Sequence, residues 1–185
     1  MDLSTFCNNT FDRGASRAKE MAWLIVSILM IAGPIPGSGW RLRVMRAFGA
    51  KIGPGVVIKP KVRVKFPWRL QVGANSWIGE GVWIDNLAEV CIGQNVCLSQ
   101  DAYLCTGNHN WTSPSFDLIT AGITIEDQCW VCARATIAPG TYLEAGAVLG
   151  MGAVGSGRLR GWTIYGQSKM IEVTPRRETQ VRAKS

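Results

Sequence analysis

One histidine in 185 residues narrows the acid–base chemistry open to this chain. His109 lies between Asn108 and Asn110. Imidazole is the side chain that exchanges protons near neutral pH, so His109 is the natural general base. The alternative is a hydrogen-bonded structural histidine. The six cysteines include one CxxC, Cys129 and Cys132. A zinc site needs four ligands, or three and a water. With one histidine and no second CxxC, both cysteines read as small apolar packing residues, and no metal is expected. Any base other than His109 would have to come from Asp85, Glu89, Asp101 or Asp117, each needing a raised pKa.

The elements that must position these residues follow a six-residue frame. It runs Ile52, Ile58, Val64, Val72, Ile78, Ile84, Ile92, Leu98, Leu104, Ile125, Val131, Ile137, Leu143 and Leu149. Four places on comes a small or β-branched residue, such as Val56, Val82, Ala102 or Ala147. Three places on comes Gly, Asn or Asp in most units, such as Gly55, Asn75, Gly81 and Asn95. Those residues tolerate φ > 0, and Pro54-Gly55 and Pro139-Gly140 suit a type II turn. Each unit is therefore a short strand and a corner, the signature of a parallel β-helix. The frame slips by two residues after the third and sixth units and breaks for longer after the ninth. All three slips fall at multiples of three, so three units make one coil and every irregularity sits over one corner. The expected domain is an all-β triangular prism of about four to five coils, spanning 52–172. The long break, 107–122, reads as a loop carrying His109, and such loops commonly carry function.

Residues 1–51 form an N-terminal extension. Within it 21–32 is almost wholly apolar and ends at Gly33-Pro34. Twelve helical residues reach about 18 Å, short of the roughly 20 residues a bilayer needs. The helix either packs on the prism end or a partner, or rests at a membrane surface; a cleaved signal peptide is a third reading. Residues 40–50 suggest a short basic helix with Trp40, Val44, Ala47 and Phe48 on one face and Arg41 and Arg43 outside it. Peripheral membrane contact through 21–48 follows from the surface reading. Residues 173–185 are a basic tail. The net charge of +7 is compatible with phosphates or a membrane surface. No arginine-rich run with interleaved aromatics supports nucleic acid. The absence of a secreted-type disulfide framework points to a reducing, cytoplasmic setting, with the inner membrane face as an alternative.

Several segments resemble the hexapeptide-repeat acyltransferases, whose prism is a left-handed β-helix. They are Cys105-Thr106-Gly107-Asn108-His109, Trp40-Arg41, Phe48 to Gly53, Pro67-Trp68, Leu98-Ser99-Gln100 and Ile125 to Gly140. The branch they are most similar to is named for colanic-acid biosynthesis. The resemblance implies acetyl transfer from acetyl-CoA to a sugar hydroxyl, with His109 as base and backbone N–H groups holding the oxyanion. It implies a homotrimer and a pantetheine groove between neighbouring prisms. The matching positions are Trp130, Ala133, Met151 and Gly152, with Arg134, Arg158, Arg160 and Lys169 as cations for the CoA phosphates. Gly166-Gln167-Ser168-Lys169 stands where the family has Gly-Asn-Pro-Ala. Acceptor contacts are expected from Asp85, Asn86, Asn108 and Trp111; for Asp85 and Asn86 a corner role is equally open.

The leading expectation is an O-acetyltransferase of exopolysaccharide or cell-surface polysaccharide biosynthesis. The competing ones are an acetyltransferase of an antibiotic or amino acid, and a non-catalytic β-helix scaffold. A zinc carbonic anhydrase on this prism would need three histidines.

Overall fold

The computed structural model describes residues 3–9, 11–113 and 115–166, and the backbone of 172–175. The frame positions stack in threes. Ile52, Val72, Ile92, Ile125, Leu143 and Leu159 pair in parallel register on the first face. Ile58, Ile78, Leu98, Val131, Leu149 and Tyr165 do so on the second. Val64, Ile84, Leu104, Ile137 and Gly155 form the third. The fold is a left-handed β-helix of about six turns. It exceeds the four to five turns expected because the repeat continues past Val154. There Gly155 replaces an aliphatic and Leu159 follows after four residues instead of six, which breaks the six-residue frame although the prism continues through it. A strand at Glu172–Pro175 closes the second face antiparallel to Thr163–Tyr165.

The frame aliphatics fill the prism, and the small residues beside them are as buried: Val82, Ala102, Ala135 and Ala153 are fully enclosed. Cys129 occupies the same slot, buried, its Sγ on the carbonyl of Glu144. Corner residues take left-handed φ at Gly55, Asn75, Asn95 and Gly140. Lys61, Gln128 and Arg134 take it too. Nothing in their type announces a corner; stacking on neighbouring corners imposes it.

The 107–122 segment is not a loop throughout. Gly107–His109 and Leu118–Thr120 pair as an antiparallel hairpin, with His109 opposite Leu118. The ladder then resumes with Ile123 beside Val90.

Before the prism, α1 (Arg17–Val26) is capped by the Ser16 side chain and runs on as one wide turn, Ser27–Ile31. α2 (Ser38–Ala47) follows. Trp23, Ile31, Leu42 and Met45 close the first coil's open end, and the Trp23 indole donates to the carbonyl of Val64. The expected face of α2 is corrected. Arg41, placed outside by its charge, is fully buried. Its guanidinium donates to the carbonyls of Ile31 (3.1 Å), Gly33 (2.8 Å) and Gly37 (2.8 Å), and to that of Ile35. It thereby ties the preceding helix's last carbonyl, that of Ile31, to three carbonyls of the connection that follows.

Candidate active site

His109 ends the first hairpin strand. Its Nδ1 lies 2.7 Å from the backbone carbonyl of Phe116. A carbonyl only accepts, so Nδ1 carries the proton and Nε2 keeps its lone pair. The Phe116 ring stacks on the imidazole at 4.3 Å between centroids and 3° between planes. Phe6 meets it edge-on at 5.5 Å. Phe116 holds a left-handed φ of 52°, a costly conformation for an aromatic residue. The turn is fastened around it. Ser113 and Ser115 hydroxyls donate to Asp117 at 2.8 and 2.7 Å, and the Asn110 amide donates to the Asp117 carbonyl. The hydroxyls of Ser115 and then Ser113 hold the Asp117 carboxyl below its ordinary range.

The hairpin base rests on the coil beneath. Thr106 Oγ1 donates to the Asp85 carbonyl, and its amide does the same. The Asp85 carboxylate receives Tyr103 Oη at 3.3 Å and lies 3.4 Å from Lys65 Nζ. Burial, with Cys105 and Asp85 adding, pushes the Tyr103 phenol well up, so it stays a proton donor. Asp85 therefore stands at the same corner as His109. Asn108 does as well, exposed, its Oδ1 accepting from the His109 amide. Trp111 is 78% exposed at the hairpin tip. Asn86 is corrected: it is fully buried, and its amide pairs in both directions with the backbone of Phe66. It staples two coils and offers an acceptor nothing.

In an antiparallel pair, residues opposite each other and two apart share a face. His109, Leu118 and Thr120 are so placed. Against Leu118 and Thr120 opens a cavity of about 460 Å³, closed by Cys7, Asn8, Phe11, Asp12, Arg69 and Asp117. A larger open trough of about 660 Å³ lies along the outer row of the first face at Lys51, Gln71, Cys91 and Thr124, and does not include His109.

The expected cofactor residues fall elsewhere. Ala133, Arg134, Met151 and Gly152 occupy the corner between the second and third faces, where the Gly152 amide donates to the Ala133 carbonyl. Trp130 precedes that corner, half exposed, its indole donating to Ser99 Oγ at 2.8 Å. Arg134 is exposed and Met151 is 67% exposed. The strand Tyr103–Cys105 separates this corner from the hairpin, about 10 Å of chain. Within one chain the two sets are not brought together. Arg158 is on the first face, paired with Glu144 at 2.6 Å and lying over Tyr142. Arg160 is exposed at the next corner. Lys169 lies outside the described residues, as does most of the basic tail.

No family model matches the chain. Over 150 residues it is 37% identical to the Escherichia coli K12 protein named as a colanic acid biosynthesis acetyltransferase, WcaF, covering 80% of this chain and 82% of that one. The chain belongs to the hexapeptide-repeat acetyltransferases. It is thus an enzyme, an acyltransferase. The sequence is also 33% identical over 129 residues to a 2,3,4,5-tetrahydropyridine-2,6-dicarboxylate N-succinyltransferase of Paramagnetospirillum magneticum, covering 64% of this chain and 42% of that one. A hexapeptide-repeat acetyltransferase of Vibrio cholerae O1 biovar eltor, solved with acetyl-CoA, shares the fold at TM-score 0.81 and 19% identity, over 95% and 97% of the two chains. A maltose O-acetyltransferase of Clostridium difficile 630 does so at 0.79 and 16%, over 87% and 88%. Among the described residues no helix of this acyltransferase is long and apolar enough to cross a membrane, and no group of His, Cys, Asp and Glu is arranged to hold a metal. Sequence reasoning missed Phe116 and Phe6. The first acts through a carbonyl, which leaves no trace in residue type. The second reaches His109 from over 100 positions away.

Proposed function

We propose that the enzyme transfers the acetyl group of acetyl-CoA to a hydroxyl of a sugar acceptor in cell-surface polysaccharide synthesis. The observation that carries this is His109, with Nδ1–H bound to the Phe116 carbonyl and Nε2 left as a base. Nε2 takes the proton of the acceptor hydroxyl while that oxygen attacks the thioester carbonyl. The tetrahedral oxyanion is held by backbone N–H groups. It collapses with loss of CoA thiolate, which the imidazolium protonates. No cysteine nucleophile is needed. The relative WcaF supports the polysaccharide setting by its name, and the Vibrio neighbour supports acetyl-CoA by its bound ligand.

The acceptor enters the 460 Å³ cavity, a volume suited to one or two sugar rings. Asn8, Asp12 and Thr120 line it and offer hydroxyl partners; Asp85, Asn108 and Trp111 lie outside that lining, so any contact they make is with a part of the acceptor that projects beyond it. The pantetheine arm runs along Trp130, Ala133, Met151 and Gly152, with Arg134 near the phosphates. Because this corner is a face away from His109 of the same chain, a complete site joins His109 of one copy to that corner of a neighbour. A closed homotrimer satisfies this. The outward row of the second face, with Trp77 and Trp130 about half exposed, supplies apolar surface for it. The enzyme works in the cytoplasm, where acetyl-CoA is available. The test is free-thiol release from acetyl-CoA and from succinyl-CoA against a panel of sugars, antibiotics and amino acids, beside sedimentation of the enzyme. Sugar-dependent release from acetyl-CoA by a trimer is expected. Release with succinyl-CoA only, with non-sugar acceptors only, or by a monomer would overturn the reading.

A further inference from the structure

α1 and the turn that extends it bury one side only. Trp23 and Ile31 close the prism, while the opposite side exposes Met21 (58%), Leu24 (50%), Ile25 (53%), Ile28 (61%) and Leu29 (71%). Ile35, in the turn before α2, is 62% exposed. Such an apolar ridge on a water-facing surface marks an interaction site.

The charge around it is lopsided. Residues 13–69 carry twelve Lys and Arg against one acid, Glu20; residues 70–157 carry one, Arg134, against eight acids. The helical cap and first coil are thus strongly cationic, and the coils above are anionic. Arg17, Arg43, Arg46, Lys51, Lys59 and Arg63 are exposed. Arg63 lines the same shallow groove as Ile28, which places cations beside the ridge.

We propose that this end docks on an anionic lipid bilayer. The ridge enters the headgroup–acyl boundary and the cations face lipid phosphates. Length fixes the mode: the fifteen residues from Arg17 to Ile31 rise about 22 Å, short of a hydrocarbon core, so the helix lies in the interface. Charge chooses the occupant. A second copy docking ridge to ridge would set two cationic ends together, whereas anionic lipid neutralises them. The acidic upper coils are repelled by the same surface, so one orientation results.

The test is co-sedimentation of the full chain with vesicles of phosphatidylcholine alone and of phosphatidylcholine with 30% phosphatidylglycerol. The wild type should bind the anionic vesicles, weakly bind the neutral ones, and lose affinity as salt rises. Ile28→Asp with Leu29→Asp should lower partitioning at least tenfold, because both side chains leave the membrane. Arg43→Gln and Lys59→Gln should each lower it about fivefold, the factor for roughly 1 kcal/mol per cation. All four side chains are exposed, so thermal melting and mass in solution should not move. Failure of the wild type to bind anionic vesicles overturns the proposal. So does unchanged binding by the double aspartate variant, or a fall in its oligomeric mass, which would make the ridge a contact between copies.

Discussion

Replacing His109 separates a catalytic base from a structural histidine, provided the replacements remove different atoms. His109→Ala removes both ring nitrogens. His109→Asn keeps a donor where Nδ1 meets the Phe116 carbonyl but has nothing at Nε2. His109→Gln reaches the Nε2 position with an amide that cannot accept a proton. A positioned base contributes about 10²–10⁴ in rate, or roughly 2.7–5.5 kcal/mol of barrier. The structural loss is smaller. One hydrogen bond at about 1 kcal/mol and the Phe116 stack at about 1 kcal/mol both lie within the hairpin. The prism core includes no atom of His109. All three variants should therefore melt close to the wild type, and all three should lose 10²–10⁴ in thiol release at saturating acetyl-CoA. If the asparagine variant recovers near wild-type turnover, the ring acts only by holding the hairpin. If the folded alanine variant stays within threefold of wild type, the base assignment is wrong.

Arg41→Met would leave four carbonyls without their shared donor, at a cost of about 3 kcal/mol or more and a Tm lower by roughly 6–12 °C; an unchanged Tm would show that water replaces the guanidinium. Gly73→Ala would set a Cβ 2.4 Å from the Gly93 carbonyl carbon and 2.5 Å from the Gln94 nitrogen. Stacked corners would have to separate, so the denaturation midpoint should drop by the equivalent of about 1–3 kcal/mol, whereas Gly39→Ala, in α2 with open space around it, should not lower it. The Asp117 carboxyl is held below its ordinary value by the Ser115 and Ser113 hydroxyls. Its contribution to hairpin order is full above the unfolded carboxylate pKa and fades as pH falls through the lowered folded value. The Asn110 amide, which donates to the Asp117 carbonyl, should lose exchange protection over that acid range; in Asp117→Asn that pH dependence should be gone.

The prism was legible because one rule repeats: an aliphatic every six residues can only be served by a chain that returns to the same axis. Ile52, Val72 and Ile92 stack as the frame implies. The rule stopped short at Gly155, where the core narrows and needs no side chain; the Leu149 and Leu159 methyls would already lie 3.1–3.2 Å from an added Cβ. Arg41 was misread for a different reason. Hydrophobic periodicity assigns a guanidinium to water, and only the end of the preceding helix at Ile31 and the turn after it supply four carbonyls for it. At Asn86 polarity left an acceptor contact and a corner role equally open; burial, with one amide bond each way to the Phe66 backbone, takes it out of an acceptor's reach. His109 stood out as a candidate by solitude. Its partner was not, since a carbonyl of Phe116 acts through backbone placed by a left-handed φ that the side chain disfavours.

Why a hairpin can be inserted at this corner follows from the ladder. A solenoid coil needs only its neighbours above and below, so an insertion between faces costs little if the next strand regains register. Ile123 does regain it beside Val90, sixteen residues after the hairpin starts. The insertion nevertheless begins and ends on rigid pieces. The Ala121 amide donates to the Thr106 carbonyl, and Thr106 is bound to Asp85 one coil below. The hairpin can therefore be long enough to carry His109 off the prism face while its root moves no more than the ladder does. Removing the Thr106 hydroxyl would loosen that root without touching the imidazole. A conserved fold with lower turnover in Thr106→Val would separate the placing of the base from the base itself.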